Sequence, residues 1–379
     1  MISFKKLIKA KWIFKKPNKK KILIYDSMTE ERGFAQILFS KKNYQVLDTR
    51  YESINLYVIL KIFLNFKFKN IRDNYKKTFI QLVSPKIVYT AIDNNLAFFK
   101  LKDLYKKPTY ISDQNGMSKI SNAFWPNSFY WESKTYTKIK KKKPRADIIF
   151  LFGKNEKERI SPIINGKIYT LGNTVNNNFP LKVKKVKKKI TSMMFISSGL
   201  FSAVIKHEQL IFSHINKFCI KKNIKLIFCS RLGKSGEDLH RKIFAKGDWI
   251  YLPHVGTYAN YRYLNKLQMV VFAHSTFGFE ALAKGLRCSV FYSHFPDKSS
   301  HSMYPKSGPF WTNFLKYKDF EKVLNRTMNF TNQRWRKIVE KYSPEIMYYD
   351  KSNIIKKKII KNVLFNSKKS SKKVNKKKK

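Results

Sequence analysis

What this chain lacks narrows the field first. Its 379 residues include three cysteines, Cys219, Cys229 and Cys288, each set in apolar sequence, with no C-x-x-C pair and no disulfide framework. A disulfide-stapled scaffold is excluded, and a reducing cytosol is the expected compartment. No apolar run reaches the roughly 18 residues that a membrane span needs. The opening MISFKKLIKAKWIFKKPNKKK is broken by lysine every few positions and lacks a small-residue cleavage site, so it reads as neither signal peptide nor span. No His, Cys, Asp or Glu cluster has metal-ligand spacing, and neither a bound metal nor an organic cofactor is expected.

Acidic residues are scarce too, 24 against 79 Lys and Arg, for a formal net charge of +55. Arginine is rare and lysine supplies nearly all of that charge, alongside abundant Asn, Ile, Phe and Tyr, a pattern that drift toward AT-rich codons explains. The lysines are spread along the chain and thicken at its two ends. A basic nucleic-acid-binding protein, the rival from another function class, requires arginine-rich or aromatic-studded grooves instead. The charge therefore points to no specific nucleic acid but fits peripheral contact with an anionic membrane.

What is present is globular: 43% hydrophobic and 15% aromatic residues over this length suffice for two full cores. Short apolar strands at residues 22–26, 44–48, 86–92, 108–111 and 146–152 alternate with helical patterns, the clearest at 52–68, which implies a doubly wound parallel sheet. After a charged connection at 181–190, a second alternating set follows: strands at 193–197, 225–229 and 249–252, helices at 207–222, 235–244 and 257–267. Four segments result: a basic N-terminal segment (1–20), a first Rossmann-like domain (21–185), a second (186–366) and a Lys/Ser-rich tail (367–379) expected to be disordered.

The most informative run is QMVVFAHSTFGFEALAKGLRCSVFY, residues 268–292. Met269 to Ala273 reads as a buried strand, Ser275 and Thr276 offer caps, Phe277 to Lys284 reads as a helix, and Gly285 stops it before a second strand, Cys288 to Tyr292. Such a turn lies at the carboxyl edge of the sheet, where first-turn amides make an anion site. Glu280 then falls one turn beyond the cap, within reach of a ribose whose phosphates sit on the turn.

Within that run S-T-F-G-F-E-A-L-A-K-G resembles the S-x-x-G-[FY]-E-A-L-x-x-G stretch of bacterial surface carbohydrate biosynthesis proteins and of capsule-type Kdo transferases. The stretches KKKILIYDS, YQVLDTRYESINLYVIL, PKIVYTAIDNNLAFFKL and PTYISDQNG are similar in order and spacing to the same surface carbohydrate proteins, including I-D-N and Q-N-G. The resemblance touches residues 21–116 and 268–292. It implies the GT-B arrangement, an α/β fold of two Rossmann-like domains facing across a cleft, and a metal-independent glycosyltransferase. Its partners would be a nucleotide sugar, with CMP-linked donors suggested by the Kdo transferases, and a glycan or lipid-linked acceptor of surface polysaccharide or lipopolysaccharide, met at the cytoplasmic face of the membrane. Nucleotide-sugar 2-epimerases share the architecture and are the nearest alternative.

Residues just after strands are the site candidates. In the second half these are Ser198, Gly199, Arg231, Lys234, His254, Ser275 and Thr276 for the nucleotide; Arg231 and Lys234 would neutralise a leaving phosphate. Glu280, also expected from the resemblance to meet the nucleotide, needs a partner if its apolar neighbours bury it. Gly233-Lys234-Ser235 is no P-loop, because Phe228 stands where the first glycine is required. In the first half Asp26, Asp93 and Asp113 follow strands, and one of them would take the acceptor's proton; the sequence does not choose among them.

Overall fold

The computed structural model describes residues 8–65, 69–93, 95–116, 143–162, 164–180, 189–197, 202–244, 246–256, 258–273, 275–291 and 307–375. The chain divides into two compact units, the first built from Met1–Phe152, Glu156–Asn178 and Asp350–Lys379, the second from Gly153–Asn155 and Phe179–Tyr349.

In the first unit, β1 (Lys11–Ile13) pairs in parallel with β4 (Ser53–Asn55) as a separate ribbon. The main sheet consists of β2 (Ile22–Tyr25), β3 (Tyr44–Leu47), β5 (Ile87–Thr90), β6 (Thr109–Asp113), β7 (Arg145–Leu151) and β8 (Asn165–Thr170), in the order β3-β2-β5-β6-β7-β8. Every pairing in it is parallel, with Ile22 opposite both Tyr44 and Ile87. The central β2 and β5 are buried along their whole length, which is why they read as unbroken apolar runs rather than alternating ones. Leu23, Tyr25, Val88, Tyr110 and Ile149 join Val58, Ile80 and Phe98 from the covering helices in one core.

The second unit repeats the plan with β9 (Ser192–Ile196), β10 (Lys225–Cys229), β11 (Ile250–Leu252), β12 (Met269–Phe272), β13 (Arg287–Phe291) and β14 (Trp311–Thr312), ordered β11-β10-β9-β12-β13-β14. These pairings are parallel as well. Its core is strongly aromatic, with Phe195, Phe212, Phe228 and Trp249 within 5.6 Å of one another along successive ring centroids. In both sheets the strand order reverses once, between β2 and β5 and between β9 and β12, and these reversals are where open α/β sheets bind ligands.

Strand expectations agree with the structure to within about two residues. Three larger features differ. The helix expected over 52–68 is Leu56–Leu64, because Ser53–Asn55 is drawn into the ribbon with β1 and the Asn55 side chain caps the helix by accepting from the Val58 amide at 3.1 Å. The expected boundary near 185 and the assignment of 186–366 to the second domain are also corrected: the chain crosses between Asn178 and Phe179 and returns at Asp350. The connection 181–188 lies outside the described residues. The return is anchored by Lys356, whose buried ammonium lies 2.9 Å from both carboxylate oxygens of Asp113 and donates to Thr174 Oγ1 at 2.6 Å. Finally, the closing helix runs Ile354–Asn375, so most of the tail expected to be disordered continues a helix begun in the first unit's core. No helix among the described residues is long and apolar enough to cross a membrane. All three cysteines are free and buried, and burial pushes the Cys219 and Cys229 thiols up to about 12.

Candidate functional site

The β12 turn of the second unit carries the strongest motif. Its helix, Thr276–Ala283, lies against the strand through Gly278: a β-carbon there would meet the Phe272 ring at 2.3 Å. Gly285, at φ +88°, ends the helix in the left-handed conformation, and the amides of Gly285 and Leu286 bond back to Leu282 and Ala281 at 2.8 and 3.1 Å. Of the two glycines of the S-x-x-G-[FY]-E-A-L-x-x-G run, Gly278 is thus set by the close Phe272 ring and Gly285 by its backbone conformation.

Ser275 holds the cap position with an extended backbone, but its hydroxyl makes no capping bond. The amide it would cap, that of Gly278, is already bonded to the Ser275 carbonyl at 3.1 Å, which also takes the Phe279 amide at 3.3 Å. The expectation of a serine side-chain cap is corrected accordingly, and the helix begins at Thr276, one residue before the expected Phe277. His274 lies outside the described residues, as do Ser198 and Gly199.

Glu280 is 5% exposed and has the partner its burial demands: Tyr261 Oη donates to its Oε2 at 2.5 Å. Burial raises its carboxyl to about 7, opposed by the Tyr261 hydrogen bond and the nearby Lys284 charge. Lys284 itself is lowered to about 8 by burial, against the attraction of Glu280. Its ammonium sits 5.2, 5.3 and 5.7 Å from the ring centroids of Phe179, Tyr261 and Tyr349 and donates to the Phe179 carbonyl. Phe179 and Tyr349 are the residues at which the chain enters and leaves this unit. Tyr261 and Lys284 were not singled out from the sequence. Lys284, four residues after Glu280, was within reach of the i,i+4 rule; Tyr261 comes from another helix and left no local signal.

Arg231, Lys234 and His254 are exposed residues of the neighbouring loops after β10 and β11. The His254 amide donates to the Leu232 carbonyl at 2.7 Å, tying the two loops together. His254 Nδ1 lies 3.4 Å from Asn260 Nδ2. Because β9 stands between β10 and β12, this group is about 10 Å or more of sheet width from the β12 turn. His240 is a structural histidine: it is buried, donates from Nδ1 to the Gly236 carbonyl at 2.6 Å, and burial lowers its pKa.

In the first unit the structure separates the three aspartates that sequence left equivalent. Asp26, after β2, is fully buried and fully engaged, accepting from the Met28 amide at 3.0 Å, Thr49 Oγ1 at 2.8 Å and Arg50 Nε at 3.0 Å. It also holds φ +79°, a conformation L-residues rarely adopt. Asp113, the last residue of β6, is saturated by Lys356, Thr174 at 2.6 Å and Tyr89 at 2.8 Å. Its observed bonding serves to hold the returning chain.

Asp93 differs. It lies after β5, beside the strand reversal, 7% exposed, and its Oδ2 is buried without a hydrogen-bond partner among the described residues. Burial raises its carboxyl to about 8, offset by the Asn115 amide and its own amide and reinforced by the charges of Glu156 and Asp113. A buried carboxyl with an uncommitted oxygen and a pKa near neutrality has the properties of a general acid or base. Among the described residues no group of three His, Cys, Asp or Glu could hold a metal ion.

The chain is similar to known proteins in ways that bear on this geometry. Residues 198–364, under half of the chain, match a family whose description assigns it provisionally to O-antigen biosynthesis. No curated protein matches the sequence. Among solved structures, sucrose-phosphate synthase from Thermosynechococcus elongatus superposes with a TM-score of 0.55 at 7% identity, over 91% of this chain and 99% of that one. A proposed UDP-N-acetylglucosamine 2-epimerase from Listeria monocytogenes gives 0.53 at 13% identity, over 88% and 93%. The wall teichoic acid polymerase TagF gives 0.50 at 10%, over 92% and 90%. These likenesses establish the fold class: mixed α/β, with two Rossmann-like units built on parallel sheets, as in GT-B glycosyltransferases.

Proposed function

We propose that this protein is a glycosyltransferase that moves a sugar from a nucleotide-sugar donor to a glycan or lipid-linked acceptor during surface polysaccharide or lipopolysaccharide assembly. The observation that carries this reading is Glu280, a carboxylate buried one turn into the helix after β12, at the strand reversal where such folds take nucleotides. Its pKa near 7 leaves a large ionised fraction at neutral pH, able to accept ribose hydroxyls beside the Tyr261 bond. First-turn amides from Thr276 receive phosphate, and Arg231, Lys234 and His254 offset charge on the departing nucleotide.

Asp93 takes the acceptor hydroxyl's proton as that oxygen bonds to the anomeric carbon and the nucleotide leaves with the electrons of its C–O bond. Asp26 and Asp113 retain positioning roles. Support beyond the geometry comes from the O-antigen family match over residues 198–364 and from the fold likeness. The likeness of the Ser275–Gly285 run to Kdo transferases makes a CMP-linked donor the first to try.

Thermal unfolding with CMP, UDP, GDP and a short oligonucleotide tests the reading. One nucleotide at 100 times its dissociation constant should stabilise the protein by about 2.7 kcal/mol. Stabilisation by the oligonucleotide alone would end the proposal in favour of nucleic-acid binding. The epimerase likeness is separated by incubating nucleotide sugar without acceptor: a transferase leaves the sugar's configuration unchanged, an epimerase does not.

A further inference from the structure

The first unit displays an apolar surface that its own core does not use. The helix Leu56–Leu64 is apolar except at Lys61 and buries only Val58 and Ile62, leaving Leu60, Phe63 and Leu64 exposed, the last at 79%. The ribbon beside it presents Trp12 and Phe14, the latter 71% exposed, with Ile8 just before them. The two are physically one region. Trp12 pairs with Ile54 and Ile13 with Asn55, the residue that caps the helix; Asn55 Nδ2 also donates to the Lys15 carbonyl at 3.0 Å. A helix of nine residues extends about 14 Å, so its exposed end remains near the ribbon. An amphipathic helix of a soluble protein ordinarily turns polar residues outward; this one does not.

The charge around these side chains is mostly positive, with Glu52, whose carbonyl accepts from the Lys11 amide at 3.0 Å, the exposed acid beside the ribbon. Lys9, Lys11, Lys15, Lys16 and Lys61 are all exposed, and residues 8–20 contain no acid. Exposed aromatic and aliphatic side chains ringed by lysine are complementary to a surface that is negative outside and apolar beneath, which is the interface of a bilayer carrying anionic lipid. A nucleic acid would match the lysines but leave Leu60, Phe63 and Leu64 in water, and a second copy of this chain would bring like charges together.

We infer that the Ile8–Phe14 segment and the helix Leu56–Leu64 form a membrane-docking face that inserts Trp12, Phe14, Phe63 and Leu64 into an anionic leaflet. This inference does not depend on the sugar-transfer reading, since lipid binding needs neither donor nor acceptor.

Flotation of the full chain with vesicles of phosphatidylcholine alone, or with 30% phosphatidylglycerol, at low and high salt, tests it. Three proteins are compared: wild type, Phe14→Ser/Phe63→Ser/Leu64→Ser, and Lys11→Gln/Lys15→Gln/Lys16→Gln. Wild type should float with anionic vesicles and keep a bound fraction at high salt. The apolar variant should partition at least about tenfold more weakly and lose that fraction. The lysine variant should weaken binding at low salt only.

Equal flotation of wild type and the apolar variant would overturn the inference, reducing the binding to the general attraction of a +55 chain. So would failure of wild type to bind anionic vesicles. Should the apolar variant not fold, vesicles with brominated acyl chains decide the matter in otherwise native protein. Quenching of tryptophan fluorescence must then diminish in Trp12→Phe, and unchanged quenching rejects insertion.

Discussion

Gly278 lies flat against the ring of Phe272, with no room between them for a methyl group: a β-carbon would stand 2.3 to 2.5 Å from three ring carbons. Gly278→Ala should therefore destabilise the second unit by about 1–3 kcal/mol, the usual cost of overpacking, measured by urea unfolding. Adding Phe272→Leu should recover part of that loss. If Gly278→Ala is as stable as wild type, the glycine serves something other than helix–strand packing.

Glu280→Gln keeps the shape of the side chain while removing a charged acceptor. Nucleotide affinity should fall by about 1–3 kcal/mol with the fold intact, as read by calorimetry. Tyr261→Phe should change affinity less, because Tyr261 positions the carboxylate rather than touching the ligand. Wild-type affinity in Glu280→Gln would leave the nucleotide assignment without its main support.

Asp93→Asn should reduce turnover about 100-fold or more and leave nucleotide affinity nearly unchanged. With the carboxyl near 8, the wild-type rate should climb through neutrality toward a plateau above that pH, a limb absent from the variant. A flat wild-type profile, or a near-normal variant, moves the proton acceptor elsewhere.

The same residue makes a stability prediction of known sign. Its folded pKa is raised from 3.8 to about 8. The stability it contributes is therefore complete below about pH 4 and is lost as pH rises to about 8, at up to about 1.4 kcal/mol per pH unit. Denaturation at pH 5 and pH 8 should show wild type losing a few kcal/mol relative to Asp93→Asn over that interval. Parallel behaviour of the two would mean that the carboxyl is not buried as described.

Lys356→Met leaves Asp113 buried without its cation and should cost about 3–5 kcal/mol, whereas Lys356→Met/Asp113→Asn should recover much of that loss. Thermal unfolding of the three proteins forms the comparison. A double variant no better than the single would show that Lys356 stabilises through packing rather than charge.

Most strands were legible because a parallel sheet buried on both faces writes itself as short apolar runs, as at Ile22–Tyr25 and Met269–Phe272. The helix after β12 was legible from its glycines. Periodicity, however, states which face of a helix is apolar and never which sheet it covers, so the return of Ile354–Asn375 to the first unit was invisible. Among the aspartates, all three stand at or just beyond the carboxyl end of a strand. What distinguishes Asp93 is the absence of a cation or hydroxyl partner at Oδ2 among the described residues, whereas Asp113 bonds a lysine 243 positions away. That is a property of tertiary neighbours, which no window of sequence contains.

That separation also has a consequence for synthesis. At roughly 5–20 residues per second on the ribosome, the 243 residues between Asp113 and Lys356 take on the order of 10–50 seconds to appear. During that time the first sheet can assemble only with its central carboxylate hydrated or protonated, and the second unit, continuous from Phe179 to Tyr349 apart from a three-residue piece made earlier, is itself completed just before Lys356 appears. The half of the protein that is begun first is thus not finished first, and a nascent chain arrested before residue 356 should leave the first unit open to protease.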